Sequence, residues 1–280
     1  MKVINSPAEL RQHVVAARRD GKVVGIVPTM GALHAGHVSL AQKSTKQCDF
    51  TVATIFLNPT QFAAGEDLEK YPRTMKEDCS QLAAAGIDLV FAPESQIMYP
   101  PGYSTAVRPP DIAKILEGEF RPTHFQGVCT IVLKLLNLVC PDKAYFGQKD
   151  YQQLAVIRKM VIDLNVPVEI IGCATVRDPD GLALSSRNRY LDDQQREIAL
   201  SLNKTLEFVE QQVSVGQNDT FELVAEMRQR LIDAGVDSID YAAIVDPETL
   251  QVPESIDSAA VALIAAHVGS TRLIDNRLID

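Results

Sequence analysis

Two histidines three residues apart stand out in the run Pro28–His37, which reads Pro-Thr-Met-Gly-Ala-Leu-His-Ala-Gly-His. An apolar strand-like segment, Val23–Val27, precedes this run, and a helical pattern begins near Val38. Glycines let a backbone approach a ligand closely, a helix N-terminus offers unpaired N–H groups, and imidazoles add further donors. These groups suit a polyphosphate, so the sequence predicts ATP binding at the point where this strand passes into the helix.

Two other interpretations of the histidine pair are open. Residues i and i+3 of a helix share a face, so the two imidazoles could bind a metal, although no HExxH pattern and no obvious third ligand accompany them. The pair could also be purely structural. The preceding glycine-containing loop favours phosphate contact over both.

Three further segments carry groups suited to phosphate or to a small polar acid. Asn58–Phe62 follows a strand-like run and contains a glutamine that can donate and accept hydrogen bonds. Phe146–Asp150 offers a lysine, and Leu184–Asn188 offers two serines and an arginine. The plainer alternatives are a solvated glutamine, a surface Lys–Asp pair and a helix-capping loop. Recurrence of phosphate-type groups in separate segments favours a nucleotide site.

The composition limits the partners. Among 280 residues the formal net charge is −9, which disfavours broad contact with nucleic acid. No apolar run approaches ~20 residues, and the N-terminal residues contain no signal-peptide core, so we expect a cytoplasmic protein with small-molecule substrates and no membrane partner. The five cysteines are scattered without a Cys-x-x-Cys pair, which disfavours a zinc site or a disulfide framework.

Strand-like and helical segments alternate along the first part of the chain, which predicts an α/β fold with a parallel sheet. Ser6–Glu9 has the pattern of a capping box with proline at the first helical position. The predicted helices are Pro7–Arg19, His37–Gln47, Pro72–Ala85, His124–Val139 and Tyr151–Leu164, and the predicted strands are Lys22–Val27, Phe50–Leu57, Leu89–Phe91, Ala144–Phe146 and Val168–Gly172.

The pattern changes after the turn signal Asp178–Gly181. We place a domain boundary near Val176, which gives an N-terminal domain of residues 1–175 and a smaller α+β domain of residues 176–280. In the second domain the sequence predicts a helix capped by Asp192 that runs to about Val213, a helix over Thr220–Leu231, and strands over Ile239–Val245, Ala260–His267 and Thr271–Ile274.

Several catalytic patterns are absent from the sequence. It contains no G-x-x-x-x-G-K-[ST] loop, no G-x-G-x-x-G and no convincing Ser–His–Asp or Cys–His set. Covalent catalysis by an enzyme nucleophile is therefore not indicated. The expected work is to position ATP and to neutralise charge while an oxygen attacks the α-phosphorus.

The histidine pair resembles the HIGH signature of the nucleotidyl-transferring α/β superfamily, and Leu184–Arg187 resembles its KMSKS counterpart. Within that superfamily, the chain is similar to the pantothenate synthetase (pantoate–β-alanine ligase) family. The motifs that carry this resemblance span nearly the whole chain: Pro28–His37, Phe56–Phe62, Tyr71–Thr74, Arg121–Phe125, Gly181–Asn188 and Arg272–Asn276.

The resemblance implies a Rossmann-like N-terminal domain, a C-terminal lid domain and a homodimer. It also implies a reaction in two steps that belongs to pantothenate and coenzyme A biosynthesis. Pantoate attacks ATP to give pantoyl adenylate and pyrophosphate, with Mg²⁺ on the phosphates, and β-alanine then displaces AMP to give pantothenate.

The resemblance also assigns site residues by matching motif. His37, His34, Lys149 and Arg187 would be catalytic, and Gln61 and Gln153 would hold pantoate. Tyr71 and Arg121 match positions near the pocket. The ATP-binding set would be Met30, Gly31, Ala32, Leu33, His34, Ala35, Gly36, His37, Gly147, Gln148, Lys149, Asp150, Val176, Leu184, Ser185, Ser186 and Arg187.

Two positions depart from the family pattern. Members usually carry glutamate at the position of Gln148 and an acidic residue at that of Ala35, and we expect these changes to remove peripheral contacts while sparing the chemistry. The sequence leaves three other functions open: another nucleotidyltransferase of the superfamily, a non-catalytic ATP-binding regulator, and a truncated tRNA synthetase. The acidic charge and the lack of an evident anticodon-binding extension disfavour the last.

Overall fold

The computed structural model describes residues 1–63 and 65–279. Contacts between Cα atoms divide the chain into two compact units. The first unit comprises Met1–Gln148 and Gln153–Ala174, and the second comprises Lys149–Gln152 and Thr175–Asp280. Within the described ranges, no helix is long and apolar enough to span a bilayer.

The first unit contains a parallel sheet and the helices that connect its strands. The strands are β1 Lys2–Ile4, β2 Val24–Thr29, β3 Phe50–Ile55, β4 Leu89–Phe91, β5 Lys143–Gly147 and β6 Glu169–Cys173. The helices are α1 Pro7–Arg19, α2 Ala35–Gln47, α3 Met75–Ala84, α4 Ser95–Met98, α5 Glu117–Phe120, α6 His124–Val139 and α7 Tyr151–Asp163, and 3₁₀ turns cover Pro59–Gln61, Asp111–Lys114 and Gln148–Asp150. Of these residues, Lys149–Gln152, at the turn before α7 and the start of that helix, belong to the second unit.

The strand order of this sheet is β1-β4-β3-β2-β5-β6, and all of its pairings are parallel. The chain runs from β2 to β3 on one side, whereas β5 pairs with β2 on the other. In open α/β sheets, ligands bind outside the carboxyl ends of the strands at such a switch point. The Pro28–His37 run begins in the last two residues of β2 and continues past its carboxyl end, and Gly147 ends the neighbouring strand β5.

Successive residues of these strands enter different buried clusters, as expected for a sheet covered on both faces. Val52 and Phe91 pack in one cluster with Leu136 of α6, whereas Ala53 packs in another with Leu82 of α3. The parallel sheet predicted from the alternation of elements is thus confirmed, as is the Rossmann-like fold that the family resemblance implied.

The second unit is α+β, as predicted. It contains a three-stranded antiparallel sheet with the order β7-β8-β9. The central strand, β8, is buried at every residue but one. The elements are the 3₁₀ turn Ser186–Tyr190, helices α8 Asp193–Ser214 and α9 Thr220–Asp233, and strands β7 Ser238–Val245, β8 Ala260–Val268 and β9 Thr271–Ile279.

The bounds of α1, β4 and α6 match the prediction, and Asp192 caps α8 by accepting a hydrogen bond from the N–H of Gln195. The predicted capping box at Ser6 is wrong, because the Ser6 side chain makes no cap hydrogen bond and only its carbonyl accepts from Leu10. The short elements β1, α4 and α5 were not predicted, because three or four residues are too few to show a periodicity and none of these elements is an unbroken apolar run as β4 is.

Two predicted helix starts are also wrong. The helix predicted from His37 begins at Ala35, because the ring of His34 caps it. The helix predicted from Pro72 begins at Met75, with Thr74 as its N-cap residue.

A buried carboxylate fixes the loop between β2 and α2. Asp78 of α3 is 1% exposed and accepts hydrogen bonds from the N–H groups of Ala32 at 3.0 Å and Leu33 at 2.8 Å. The Thr74 hydroxyl donates to the same carboxylate at 3.1 Å. The loop needs this support, since Gly31 and Ala32 have φ angles of 85° and 51°, a left-handed conformation that is unfavourable for alanine.

We expect Asp78→Ala to lower the free energy of unfolding by about 3 kcal/mol or more, because two buried N–H groups would lose their acceptor at roughly 1–3 kcal/mol each. Urea denaturation measures this loss. Asp192→Ala is the control, because it removes an exposed N-cap and should cost only about 1 kcal/mol. Equal small losses in both variants would contradict the role of Asp78.

Candidate active site

The two predicted histidines form a reciprocal cap at the start of α2. His34 is the N-cap residue, and its Nδ1 accepts a hydrogen bond from the N–H of Gly36 at 3.2 Å. The N–H of His34 in turn lies 3.4 Å from Nδ1 of His37, and the ring centroids are 4.2 Å apart. The rings therefore meet across the helix start, although His34 precedes the helix and does not share a helical face with His37.

This cap has consequences for hydrogen bonding. A ring nitrogen that accepts a hydrogen bond carries no proton, so the cap selects the neutral tautomer with hydrogen on Nε2 in both histidines. The N–H of Gly36 is already bound by His34, and those of Ala32 and Leu33 are bound by Asp78. The expectation that the helix start offers unpaired N–H groups is therefore wrong for Gly36. The imidazole Nε2–H groups are donors of the type a phosphate requires.

Gln61 lies beside this run and is buried, contrary to the solvated alternative. Its Oε1 accepts a hydrogen bond from Asn58 Nδ2 at 3.0 Å, and its Nε2 lies 3.1 Å from the sulfur of Met30. A Cβ on Gly127 of α6 would lie 2.3 Å from the carbonyl oxygen of Thr60, so only glycine lets α6 approach this turn. The structure thus brings together Gln61, which was predicted to hold pantoate, and Met30, which was predicted to line the ATP site.

The main chain of Gln61 is held by two side chains. Its carbonyl oxygen lies 2.9 Å from Nδ1 of His124 and accepts from the Arg121 guanidinium at 3.3 Å. Arg121 also donates two hydrogen bonds of 2.7 Å to Glu66. Burial, together with the nearby charge of Arg121, lowers the pKa of His124 to about 4, so at neutral pH the ring is uncharged and donates through Nδ1.

Glu66 is ionised in this network. Burial alone would raise its pKa, but the hydrogen bonds and charge of Arg121 outweigh that effect and lower the pKa below its usual value. Neither Glu66 nor His124 was predicted from the sequence as a site residue. The motif Arg121–Phe125 contained the histidine, whereas nothing local distinguished the glutamate.

The end of β5 supplies two predicted residues of the first unit. A Cβ on Gly147 would meet nothing within 4 Å, which is consistent with room for a ligand against this backbone. Gln148 is half-buried, and Gln153 lies half-buried on the first turn of α7. The amide of Gln61 pairs with Asn58 and Met30 rather than with Gln153.

Ala35, the other departure from the family pattern, is exposed at the first position of α2. Tyr71, which was matched to a position near the pocket, is buried, and its ring packs edge-on against Phe62 with the centroids 6.0 Å apart.

The second unit carries the remaining predicted residues in two segments. In the first segment, the Lys149 carbonyl accepts a hydrogen bond from Asn276 at 2.7 Å, and the Tyr151 hydroxyl donates to the carbonyl oxygen of Pro247 at 3.2 Å. Lys149 is half-buried and Asp150 is exposed.

The second segment, residues 176–187, forms a loop whose ends are joined by a main-chain hydrogen bond before Ser185. The N–H of Leu184 donates to the carbonyl of Val176 at 3.0 Å, which brings these two predicted residues together. Ser185 then caps the 3₁₀ turn by accepting from the N–H of Arg187 at 3.3 Å, so the helix-capping alternative describes its hydroxyl. Ser186 is buried and Arg187 half-buried.

Known proteins resemble this chain over its whole length. The model of the pantoate-beta-alanine ligase family matches residues 2–278. A pantothenate synthetase from Pseudomonas fluorescens is 50% identical over 282 residues, covering 100% of this chain and 98% of the relative. The crystal structure of pantothenate synthetase from Thermus thermophilus matches with a TM-score of 0.94 at 43% identity, covering 99% of each chain.

A second solved structure is that of pantoate-beta-alanine ligase from Francisella tularensis, complexed with beta-gamma ATP and beta-alanine. It matches with a TM-score of 0.83 at 34% identity, covering 99% of this chain and 97% of that one. Because the family model and the relatives extend over nearly every residue, this chain belongs to the pantoate-beta-alanine ligase family.

Proposed function

We propose that this chain condenses (R)-pantoate with β-alanine through a pantoyl-adenylate intermediate. Membership of the family makes the chain a ligase, and ATP is its nucleotide substrate. The observation that carries the proposal is the reciprocally capped histidine pair at the carboxyl end of β2, beside a buried glutamine that contacts Met30. The histidines suit the binding of a phosphate and the glutamine suits the binding of a small acid, and the proposed reaction requires both.

In the first step, a carboxylate oxygen of pantoate attacks the α-phosphorus of ATP. The bond from that phosphorus to the bridging oxygen breaks, and pyrophosphate leaves with the electron pair. Negative charge develops on the phosphate oxygens, so hydrogen-bond donors and cations stabilise the transition state. We assign this role to the Nε2–H groups of His34 and His37 and to the charges of Lys149 and Arg187.

Pantoate is small and hydroxylated, so its orientation depends on groups that can both donate and accept. We assign its binding to the amides of Gln61 and Gln153. The contacts of Gln61 support this, because Asn58 and Met30 orient its buried side-chain amide, and His124 and Arg121 hold its main chain. ATP would contact the remaining predicted residues of the run that begins at Met30, of the β5 end and of the 176–187 segment.

Mg²⁺ would supply further charge neutralisation on the phosphates. Among residues 1–63 and 65–279, no group of three or more His, Cys, Asp or Glu side chains could hold a metal ion. We therefore assign the ion to the phosphate oxygens and water, since Mg²⁺ retains several waters and binds readily to substrate phosphates.

In the second step, the amine nitrogen of β-alanine attacks the acyl carbon of pantoyl adenylate. The bond from that carbon to the phosphate oxygen breaks, AMP leaves, and the nitrogen loses a proton as the amide forms. Mixed anhydrides hydrolyse readily, so the site must exclude water. We propose that residues 176–280 serve as a lid domain and that the protein acts as a cytoplasmic homodimer.

Exchange of labelled pyrophosphate into ATP tests the proposal directly. With Mg²⁺ present and β-alanine absent, we expect exchange that requires pantoate, because only a reversible acyl-adenylate step returns label to ATP. Addition of β-alanine should then release AMP and give an amide. A stable product that retains the nucleotide would instead indicate another nucleotidyltransferase, and ATP binding without any turnover would indicate a regulator.

His37→Ala should reduce pantoate-dependent exchange by about 10²-fold or more, because it removes a donor to the developing phosphate charge. His13→Ala in α1 is the matched control, since that ring contacts Lys2 and lies outside the site. Circular dichroism should show the same fold in both variants. Wild-type exchange in His37→Ala would refute the catalytic assignment.

Arg187→Ala should slow adenylate formation more than the attack of β-alanine, because the guanidinium is assigned to the phosphates that depart in the first step. Arg189→Ala provides the control, as this arginine lies in the same 3₁₀ turn. Single-turnover measurements starting from ATP, or from isolated pantoyl adenylate, separate the steps. Equal slowing of both would argue against a phosphate clamp.

A further inference from the structure

Strand β9 carries two adjacent polar residues that are buried, Asp275 at 3% and Asn276 at 6% exposure. Burial of a carboxylate and an amide is unfavourable unless both are hydrogen-bonded. Successive side chains of a strand point to opposite faces, so these two can reach different segments. Their partners lie in the two parts of the second unit to which ATP-binding residues are assigned.

Asp275 closes the loop that leads to the serines and Arg187. Its carboxylate accepts two hydrogen bonds from Arg177, at 2.7 and 3.0 Å. The same guanidinium donates to the carbonyls of Gly181 at 3.2 Å and Asn276 at 3.3 Å. A planar guanidinium bound in this bidentate way has a fixed orientation.

Main-chain contacts also join the two ends of the loop that runs from Val176 to Leu184. Arg177 forms an antiparallel bridge with Ala183, and Leu184 then bonds to the carbonyl of Val176. The direction in which the chain enters the Ser185–Arg187 segment therefore depends on the ion pair with β9.

Asn276 holds the other segment. Its Nδ2 donates to the carbonyl oxygen of Lys149 at 2.7 Å, a short hydrogen bond across 127 positions of sequence. This bond fixes the main chain of the residue whose side chain is assigned to the phosphates. Two consecutive residues of one strand thus set the positions of both cationic segments.

We propose that Asp275 and Asn276 are positioning residues for the nucleotide: they hold Lys149 and the Ser185–Arg187 segment in place for the phosphates of ATP. The inference rests on the proposed function for the identity of the ligand. Neither residue is assigned a contact with substrate. Asn276 acts through the main chain of Lys149, and Asp275 acts through Arg177.

Asn276→Ala and the isosteric Asn276→Asp test this proposal. Both remove the donor to Lys149, but only the first also removes volume. We expect both to lower pantoate-dependent pyrophosphate exchange by between about tenfold and about a hundredfold, to raise KM for ATP, and to leave KM for β-alanine unchanged, because a misplacement near 1 Å can cost about 10² in rate.

Asp219→Ala is the control for lost stability, because it removes the N-cap of α9 without touching either segment. Full activity in Asn276→Asp with loss only in Asn276→Ala would reduce the role to packing and overturn the proposal. The proposal would also be overturned if the Asn276 variants lost no more exchange activity than Asp219→Ala does at a similar fall in Tm.

Calorimetric titration with ATP separates the proposal from the function on which it rests. Wild-type protein that binds ATP but shows no pantoate-dependent exchange would defeat the proposed function. Weaker ATP binding by both Asn276 variants would still support the positioning role in that case, and unchanged binding would refute it.

Discussion

The part of the site that contains His34 and His37 depends on the hydrogen bonds that the Asp78 carboxylate accepts from the loop after β2. A parallel strand must pass its chain to a helix within a few residues, and here it does so through Gly31 and Ala32 in left-handed conformations. The N–H groups of Ala32 and Leu33 then point inward, and a carboxylate that is 1% exposed accepts both. The positions of His34 and the start of α2 follow from this turn.

The same arrangement recurs in the other proposed segments. A main-chain group is bound by a buried side chain from a distant element: the carbonyl of Gln61 by His124, and that of Lys149 by Asn276. Because a buried side chain holds the backbone of each functional residue, the position of that residue's Cα is fixed. Such prior orientation reduces the reorganisation needed when charge develops on a phosphate.

These anchors also explain which parts of the site the sequence could predict. Helix α6 has a strong local pattern, and its bounds were predicted correctly. The histidine pair was proposed because its residue types and spacing suggest chemistry by themselves, whereas the assignment of Gln61 to pantoate came from the family resemblance. The anchors are separated from the groups they hold by 46, 63 and 127 positions. Nothing local distinguishes Asp78 from any other acidic residue early in a helix, because its partners become neighbours only in the folded chain.

The two compact units divide the proposed chemistry by charge. The neutral donors His34, His37 and Gln61 belong to the first unit, whereas the cations Lys149 and Arg187 belong to the second. The described anchors of each set lie within the same unit as the groups they hold. The internal geometry of each set is therefore determined by its own unit. This separation suits a reaction in which an acid must be oriented and a polyphosphate neutralised, because the two requirements constrain different parts of the chain.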